Sequence, residues 1–455
     1  MSQPSGLTLQ PRPVPGPVPA WSFPVGAEGR VPGGPGTLRV DLPGRRLAAV
    51  RLVLDAGASR EPGGKDGVAT LAARALLEGT EPGGGTALTA AFERLGASLY
   101  ASADLTALRI ALDVPVTRLG AALELFAEVI RRPALADSDV ARLVNERLEE
   151  IAQEDADPGS RAARELRAVM FPAEARSSRP TGGTKESIAA VTGADVRAFF
   201  SSAVPAEATA VVAGDLSGTD ADVALGGALD GWTAAGDSLQ DPDTIEPTTG
   251  PRIVVVDRPG SVQSYLSIAH GVPNRSHPDW ADLMVASHVL GGGLTSRLNA
   301  VLREEKGYTY GVRAGLLRMR HCGLFITQGA VHTEVTADAV ADALTELRGV
   351  VSRGISDEEC GSSVRALADR APAEYETARA VAAELADAAA GGLGPGYPGR
   401  YLAAVRAATP ESVARAYSTH IDPERLTVIV VGDAEQIREP LEALGYASVS
   451  VTAKD

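Results

Sequence analysis

A glycine-rich string, GGGLTSRLNAVLREEKGYTYGV at 291–312, holds the residues best suited to chemistry. Three glycines lead into a predicted helix that carries Arg297 in its first turn, and Tyr308 and Tyr310 open the predicted strand that follows. A guanidinium and a phenol that converge can bind a carbonyl oxygen or a developing oxyanion. The same spacing also suits a surface arginine and a half-buried strand tyrosine, so both interpretations stay open.

Histidine and cysteine usage argues against a metal site in this chain. The six histidines all lie after residue 269, at 270, 277, 288, 321, 332 and 420, and no two have the HxxxH or HxxH spacing of a helical metal site. Two cysteines, Cys322 and Cys360, are too few for a four-cysteine zinc site. We therefore predict that no residue of this chain binds a metal.

Composition excludes several classes of partner. The 455 residues carry a net charge of −15, whereas binding to nucleic acid or to an anionic membrane requires a basic surface. No apolar run approaches the roughly 18 residues of a membrane span, and the N-terminus lacks the apolar core of a secretory signal. We expect no nucleic-acid partner, no membrane partner and a cytoplasmic location.

The chain divides into two similar halves. Residues 1–36 are rich in proline and glycine and predict an extended tail, with Trp21 or Phe23 docking on the body. A biased stretch at 233–252 predicts a linker between domains at 37–232 and 253–447. TGADVRAFFSS at 192–202 matches TPESVARAYST at 409–419, and VVAGD at 211–215 then matches IVVGD at 429–433. Two adjacent matches in the same order indicate an internal duplication.

Hydrophobic periodicity predicts mixed strands and helices in each half. In the first half we predict strands at 37–42 and 47–56 joined by a hairpin turn at LPGRR, a strand at 106–113, and helices at 67–78, 117–131 and 138–154. In the second half we predict strands at 252–257, 261–270, 308–318 and 322–331, helices at 280–290 and 296–304, and a capping box at Ser356 and Glu359. Without regular βαβ alternation, the pattern favours two α+β domains, each a mixed or antiparallel sheet covered by helices.

The string at 291–312 resembles the C-terminal signature of the insulinase-like M16 metallopeptidases, whose usual form is close to SSRL…REKxGLAY. The duplicated plan resembles the same family. So does DAGASREPGGKDGVATLAARALLEGT at 55–80, which follows the family's GSRxE…GxAHxxEHxxFKGT. The resemblance extends over about residues 37–440 and implies the two-domain fold of that family.

The family's zinc chemistry is missing from the matching positions. Family enzymes bind zinc with two histidines four residues apart on a helix and use the intervening glutamate as general base. The corresponding residues here are Thr70, Ala73 and Arg74, which share one helical face but provide neither a good ligand nor a base. The position of the distal ligand falls on Glu150. We predict that Arg74 forms a bidentate ion pair with Glu150, the alternative being that both face solvent separately.

By resemblance, such a chain is the zinc-free subunit of a two-subunit peptidase, with zinc in the partner subunit and no cofactor in this one. Arg297 and Tyr310 would then hold the substrate carbonyl beside the partner's zinc. An extended peptide would add to a sheet edge. Gly291, Gly292 and Gly293 would allow close backbone approach, although they also suit a plain turn between helices.

Two other functions remain open at this stage. One is a catalytically inert peptide-binding or scaffold protein of the same fold. The other is an independent hydrolase that uses different residues. The sequence does not specify the substrate peptide.

Overall fold

The computed structural model describes residues 21–31, 34–81, 83–203, 208–219, 221–229, 247 and 250–452. Most of the predicted tail and linker lies outside these residues. The described part of the tail does dock on the body: Trp21 stacks on Tyr375 with ring centroids 6.0 Å apart, and Phe23 meets the same ring edge-on at 4.9 Å. The sheet also begins earlier than predicted, because residues 27–30 already form a strand.

The N-terminal half combines one large sheet with helices, as predicted. Its strands are β1 (Ala27–Arg30), β2 (Gly36–Asp41), β3 (Leu47–Leu54), β4 (Gly79–Thr80), β5 (Gly83–Gly84), β6 (Ser98–Ala103), β7 (Leu108–Pro115) and β8 (Ala208–Gly214). Its helices are α1 (Val68–Ala75), α2 (Gly85–Arg94), α3 (Leu119–Arg131), α4 (Asp137–Ala156), α5 (Pro158–Met170), α6 (Lys185–Ala189), α7 (Gly193–Ala203) and α8 (Ala221–Leu229).

The C-terminal half repeats this plan. Its strands are β9 (Arg252–Asp257), β10 (Gln263–Val272), β11 (Val312–Arg318), β12 (Gly323–His332), β13 (Thr427–Gly432) and β14 (Val449–Thr452). Its helices are α9 (Trp280–Gly291), α10 (Arg297–Asn299), α11 (Thr336–Arg353), α12 (Asp357–Val364), α13 (Ala371–Glu374), α14 (Ala378–Ala390), α15 (Tyr397–Ala407), α16 (Pro410–His420) and α17 (Ala434–Ala443), with π-helical turns at Ala300–Glu305 and Arg365–Asp369.

The predicted hairpin across LPGRR is wrong. The turn exists, since the Arg45 amide donates to the Leu42 carbonyl at 3.0 Å, but the strands that it joins do not pair. The sheet order is β1-β2-β8-β3-β7-β6, with β8 lying between β2 and β3. β8 is parallel to β2 and antiparallel to β3. β8, from the end of the N-terminal half, therefore pairs with β3 in the place that β2, the preceding strand in sequence, was predicted to take.

The second sheet confirms the internal duplication. Its order is β11-β12-β10-β13-β9-β14, with β13 parallel to β9 and antiparallel to β10. β13 thus occupies the place that β8 holds in the first sheet. The matched threonines also act alike, because Thr192 and Thr409 each accept a hydrogen bond from a backbone amide in the first turn of the following helix. The α+β class with two similar domains is confirmed.

One helix of each half packs against the sheet of the other half. The sheets are buried on both faces, and alternate residues of a strand enter different apolar clusters. α5 covers one face of the C-terminal sheet, where Leu166 packs in the same cluster as Val431. α14 covers the equivalent face of the N-terminal sheet, where Val381 packs in the same cluster as Val211. This exchange joins the halves through apolar surface, the main driving force of association.

Ion pairs add to that contact. Arg320 of the C-terminal half binds Asp55 of the N-terminal half at 2.8 Å, and Arg379 binds Asp113 at 3.0 Å. Separately, within the described residues, no helix combines the length and apolar character needed to cross a bilayer.

Candidate functional site

The helix that resembles the family's zinc helix is α1, and its N-terminus is fixed by a buried carboxylate. Glu61, whose side chain is fully buried, accepts hydrogen bonds from the amides of Gly67 and Ala69, both at 2.9 Å. Arg176 binds the other oxygen of this carboxylate at 2.7 Å. Burial raises the pKa of Glu61, while Arg176 and the two amides act in the opposite direction.

The predicted ion pair between Arg74 and Glu150 is confirmed. Arg74 Nη1 donates to Glu150 Oε1 at 2.9 Å, and Nη2 donates to Oε2 at 2.8 Å, which is a bidentate fork. α1 and α4 are in contact, so the residues of one helical face meet the other helix. Thr70 is half-buried on this face and Ala73 is buried. Glu150, at the position of the distal ligand, is thus paired with Arg74, at the position of the second histidine.

A second arginine, which sequence reasoning missed, completes the cluster. Arg147 lies three residues before Glu150 on α4 and binds it at 3.0 Å. It also forms a bidentate pair with Glu154 at 2.7 and 2.9 Å and donates to the carbonyl of Gly182 at 3.0 Å. The i,i+3 spacing was visible in the sequence, but it was uninformative because most such pairs are solvated.

The electrostatics of this cluster favour ionised side chains. The hydrogen bond from Arg74 is the main reason why the pKa of Glu150 is lowered; burial opposes it and Arg147 reinforces it. Burial acts to lower the pKa of Arg147, but its hydrogen bonds to Glu154 and Glu150 outweigh that effect, and the pKa is raised overall. The positive charges of Arg74 and Arg147 thus balance the negative charges of Glu150 and Glu154, and no metal ion is needed to neutralise the carboxylates.

The residues at this site do not fit a zinc ion. Zinc in such a site needs imidazole, thiolate or carboxylate donors, and here Arg74 and Ala73 offer none. A guanidinium stays protonated at any pH that a protein tolerates, so it repels a cation as well as failing to ligate it. The remaining carboxylate, Glu150, is already occupied by Arg74 and Arg147.

Arg297 lies in an internal ion pair. Its Nε and Nη2 donate to the two carboxylate oxygens of Glu359 at 2.6 and 2.9 Å, and Nη2 also donates to the carbonyl of Gly354 at 2.7 Å. The third nitrogen, Nη1, is buried and has no hydrogen-bond partner among the described residues. Glu359 also closes the predicted capping box with Ser356, which is confirmed. Arg297 and this box hold the pKa of Glu359 at about 2.

Tyr310 lies outside the strand, which was predicted over 308–318. β11 begins at Val312, because Gly307 adopts a left-handed φ of 66° and the amide of Gly311 turns back to the hydroxyl of Thr309 at 3.0 Å. Tyr310 is 92% exposed in this turn. Among the described residues no hydrogen bond joins it to Arg297, whose guanidinium binds Glu359 instead.

Another arginine in the same string is more accessible. Arg303, on the π-helical turn before Tyr310, keeps about a third of its side chain exposed, at 34%, compared with 13% for Arg297. It contacts the neighbouring Glu304 at 3.4 Å. Its exposure, in the same string as Tyr310, makes it a second candidate for contact with a ligand, one that the sequence analysis did not consider.

Comparisons with known proteins agree with this architecture. Residues 38–184 match the family model described as insulinase (peptidase family M16), and residues 190–367 match the model described as the peptidase M16 inactive domain. The chain belongs to the M16 metallopeptidase family. The match to the inactive-domain model begins near the end of the N-terminal half of this M16 chain and continues into the C-terminal half.

Relatives of this M16 protein include chains described as proteases and one that is not. An uncharacterized zinc protease of Mycobacterium tuberculosis is 27% identical over 337 residues, which is 72% of this chain and 76% of the relative. The non-peptidase homolog YmxG of Helicobacter pylori is 23% identical over 336 residues, 73% of this chain and 76% of the relative.

Solved structures show the same fold. A peptidase M16 inactive domain from Pseudomonas fluorescens superposes with a TM-score of 0.83 at 24% identity, covering 90% of this chain and 98% of that chain. At this coverage the similarity extends over both halves.

The glycine run of this M16 chain has mainly a packing role. A Cβ on Gly291 would lie 2.4 Å from the backbone nitrogen of Ala314, so helix α9 approaches β11 too closely for any side chain there. A Cβ on Gly292 would meet the ring of His288 at 2.3 Å. Gly293 alone of the three is open, with its nearest neighbour 4.0 Å away. A role in substrate binding stays a prediction for all three.

Asn299 links the two ends of the segment 291–312, a role that the sequence analysis did not predict. Its buried amide nitrogen donates to the carbonyls of Gly293 and Val312 at 2.9 and 2.8 Å, and its oxygen accepts from the amide of Val312 at 2.9 Å. The side chain therefore ties the glycine run to the start of β11. A lone asparagine in a helix gives no signal of such bridging, because helical spacing does not indicate that its amide faces backbone groups 6 and 13 residues away.

Proposed function

We propose that this chain is the subunit without a catalytic zinc site in a two-subunit M16-type peptidase and needs a zinc-bearing partner subunit to cleave peptides. The observation that carries the proposal is the replacement of the zinc site by the Arg74–Glu150 pair in a chain that keeps the rest of the M16 fold. A cation-binding site that has become an internally neutral ion pair cannot activate water, so hydrolysis requires a metal from another chain.

The contribution of this chain would be to bind the peptide. Tyr310 supports this role because its exposed phenol can donate to a substrate carbonyl. For the guanidinium there are two candidates. Arg297 takes this role only if it leaves Glu359, whereas Arg303 is already accessible. Variants of both separate the possibilities.

An extended peptide substrate suits the free sheet edges. In the described residues, β6 is the last strand of the N-terminal sheet and β11 the first of the C-terminal sheet. Among the described strands β6 pairs only with β7, so the backbone groups on its other side are not used by the sheet. Main-chain pairing tolerates varied peptide sequences, as a peptidase of broad specificity requires.

The test is reconstitution. A chain with an intact HxxEH motif, encoded by a neighbouring reading frame, is purified and mixed with this chain, and hydrolysis of an unstructured peptide is followed. Neither chain alone should hydrolyse the peptide, and the mixture should. Tyr310→Phe should lower kcat of the mixture by about 10-fold or more, the scale expected when one donor to a developing oxyanion is lost. Tyr308→Phe, which alters the neighbouring phenol, is the matched control.

The arginine variants refine the assignment. If Arg303→Met lowers kcat while Arg297→Met lowers only thermal stability, the accessible arginine contacts the substrate. If the mixture gains no activity with a zinc-loaded partner that binds this chain, the proposal is wrong.

A second candidate is a catalytically inert peptide-binding or scaffold protein of the same fold. It is favoured by the state of the Arg297 guanidinium. Two of its nitrogens bind Glu359 and the third is buried, so none is available to a ligand in this conformation. In that case the chain would bind extended peptides with or without the partner, and Tyr310→Phe would leave every rate unchanged.

A further inference from the structure

We propose that the C-terminal half contains a site for a divalent transition metal of the zinc class, formed by His277, Asp279 and His420. One ligand atom from each residue lies within 4.8 Å of the other two. His420 Nε2 is 2.8 Å from Asp279 Oδ2, and His277 Nδ1 is 3.9 Å from the same oxygen. Two imidazoles and a carboxylate are a common donor set for zinc and for other first-row metals.

The spacing suits a small metal ion. With metal–ligand bonds of about 2.0–2.1 Å in tetrahedral geometry, donor atoms lie roughly 3.3 Å apart. The two measured separations, 2.8 and 3.9 Å, lie on either side of this value. The imidazoles of His277 and His420 meet edge to face, with centroids 4.8 Å apart and planes at 81°, so their nitrogens can approach one point without ring overlap.

Asp279 lies at the N-terminus of α9 but does not cap the helix with its side chain. It is the N-cap residue of α9, where an aspartate usually accepts a hydrogen bond from a backbone amide of the first turn. Its side chain makes no such bond and is directed to His420 instead. Because the carboxylate forgoes the stabilisation of its own helix, this conformation points to a second use of the group.

The three side chains are held by rigid elements. His277 and Asp279 lie in the turn that enters α9, where the Trp280 amide bonds to the His277 carbonyl at 3.0 Å. His420 is the last residue of α16, and α16 packs against α9. Ser412 at the start of α16 also donates to Asp282 of α9 at 3.0 Å. Metal binding here therefore needs a local adjustment of the His277 side chain but no ordering of a flexible segment.

The site has one open side. His277 and His420 line a surface cavity of about 430 Å³ together with His321. The Nε2 atom of His321 is buried and has no hydrogen-bond partner among the described residues. Three protein ligands and an open fourth position leave room for water or another donor. Because His277 Nδ1 accepts from the amide of Asp279 at 3.1 Å, this imidazole must either exchange that bond for the metal or rotate to present Nε2.

The site is separate from the lost zinc site of the N-terminal half, and its test requires neither a partner nor peptidase activity. Full-length, tag-free protein is treated with a chelator, dialysed and titrated with zinc sulfate in a calorimeter at pH 7.5. We expect one equivalent to bind. His277→Ala, Asp279→Asn and His420→Ala should each weaken binding by more than the roughly 10- to 100-fold typical of changes around a metal ligand.

His332→Ala is the matched control, because His332 is an exposed histidine of the same half outside the cluster. Asp279→Asn can still accept the hydrogen bond from His420, so it removes a metal donor with the least change to the fold.

Two results would overturn the inference. One is a wild-type protein that binds less than one equivalent of zinc at micromolar concentration. The other is a set of three cluster variants that bind zinc as tightly as the His332→Ala control. Circular dichroism melts of each variant without metal identify any that fails to fold. For such a variant, visible spectra of the wild-type protein with cobalt(II) decide instead: a spectrum without tetrahedral d–d bands also refutes the site.

Discussion

Replacing Arg74 by methionine measures how much the ion pair at the former zinc position stabilises the fold. The pair is bidentate, but its side chains are 32% and 42% exposed, so water screens it. Exposed pairs typically contribute about 0.2–1 kcal/mol, and two well-aligned hydrogen bonds place this one near the upper limit. We expect Arg74→Met to cost about 1 kcal/mol of unfolding free energy at pH 7. For a domain of this size that lowers Tm by about 2–4 °C.

The double-mutant cycle with Glu150→Gln isolates the pair. Glu150→Gln alone also removes a charged partner of Arg147, so we expect it to cost about 1–1.5 kcal/mol. Once Arg74 has been replaced, Glu150→Gln should cost only the small part due to Arg147. The coupling energy between Arg74 and Glu150 should therefore be about 1 kcal/mol, measured by urea unfolding of all four proteins.

The pH dependence of this coupling has a definite sign. The pKa of Glu150 is lowered in the folded protein, so its contribution is fully present above the unfolded pKa and is lost as pH falls through the folded value. The coupling should thus be unchanged between pH 6 and 8 and should decline below about pH 4. A coupling energy indistinguishable from zero at pH 7 would refute the claim that this pair stabilises the former metal position.

Three further outcomes follow from the same geometry. Thr70→His combined with Arg74→His restores two imidazoles opposite Glu150, so calorimetry should show one more zinc equivalent than the wild-type protein binds; an unchanged stoichiometry would mean that the helices no longer fit the metal. Arg297→Met should cost about 2–3 kcal/mol in urea unfolding, more than Arg74→Met, because its pair with Glu359 is less exposed; an equal or smaller loss would contradict a structural role. Because the pKa of Glu359 is lowered to about 2, the stability difference between wild type and Arg297→Met should shrink as pH falls from about 4.5 towards 2, and a difference at pH 2 as large as that at pH 7 would contradict this linkage.

The lost zinc site was predictable because helical periodicity encodes it. Residues at i, i+3 and i+4 share a face wherever the helix lies, so Thr70, Ala73 and Arg74 had to point in one direction. The family pattern then supplied the opposing residue, Glu150, and charge alone predicted the pair. The contribution of Arg147 needed the structure, because the helix spacing does not say which of several charges faces inward.

The surroundings of Arg297 and Tyr310 could not be predicted from the sequence in the same way. Arg297 and Tyr310 are close in sequence, but a helix end, a left-handed glycine and a turn lie between them. Small changes in these dihedral angles redirect a side chain by many ångströms. The partner that captures Arg297, Glu359, lies 62 residues further along the chain.

The sequence by itself determined the duplication, the α+β class and the absence of zinc ligands on α1, because repeats, periodicity and residue chemistry are local properties. Only the tertiary structure decided the strand order with β8 between β2 and β3, the exchange of α5 and α14 between the halves, and the meeting of His277 with His420. These features join residues that are distant along the chain. Which distant surfaces meet depends on the burial of both faces of each sheet at once, and no short window of sequence contains that information.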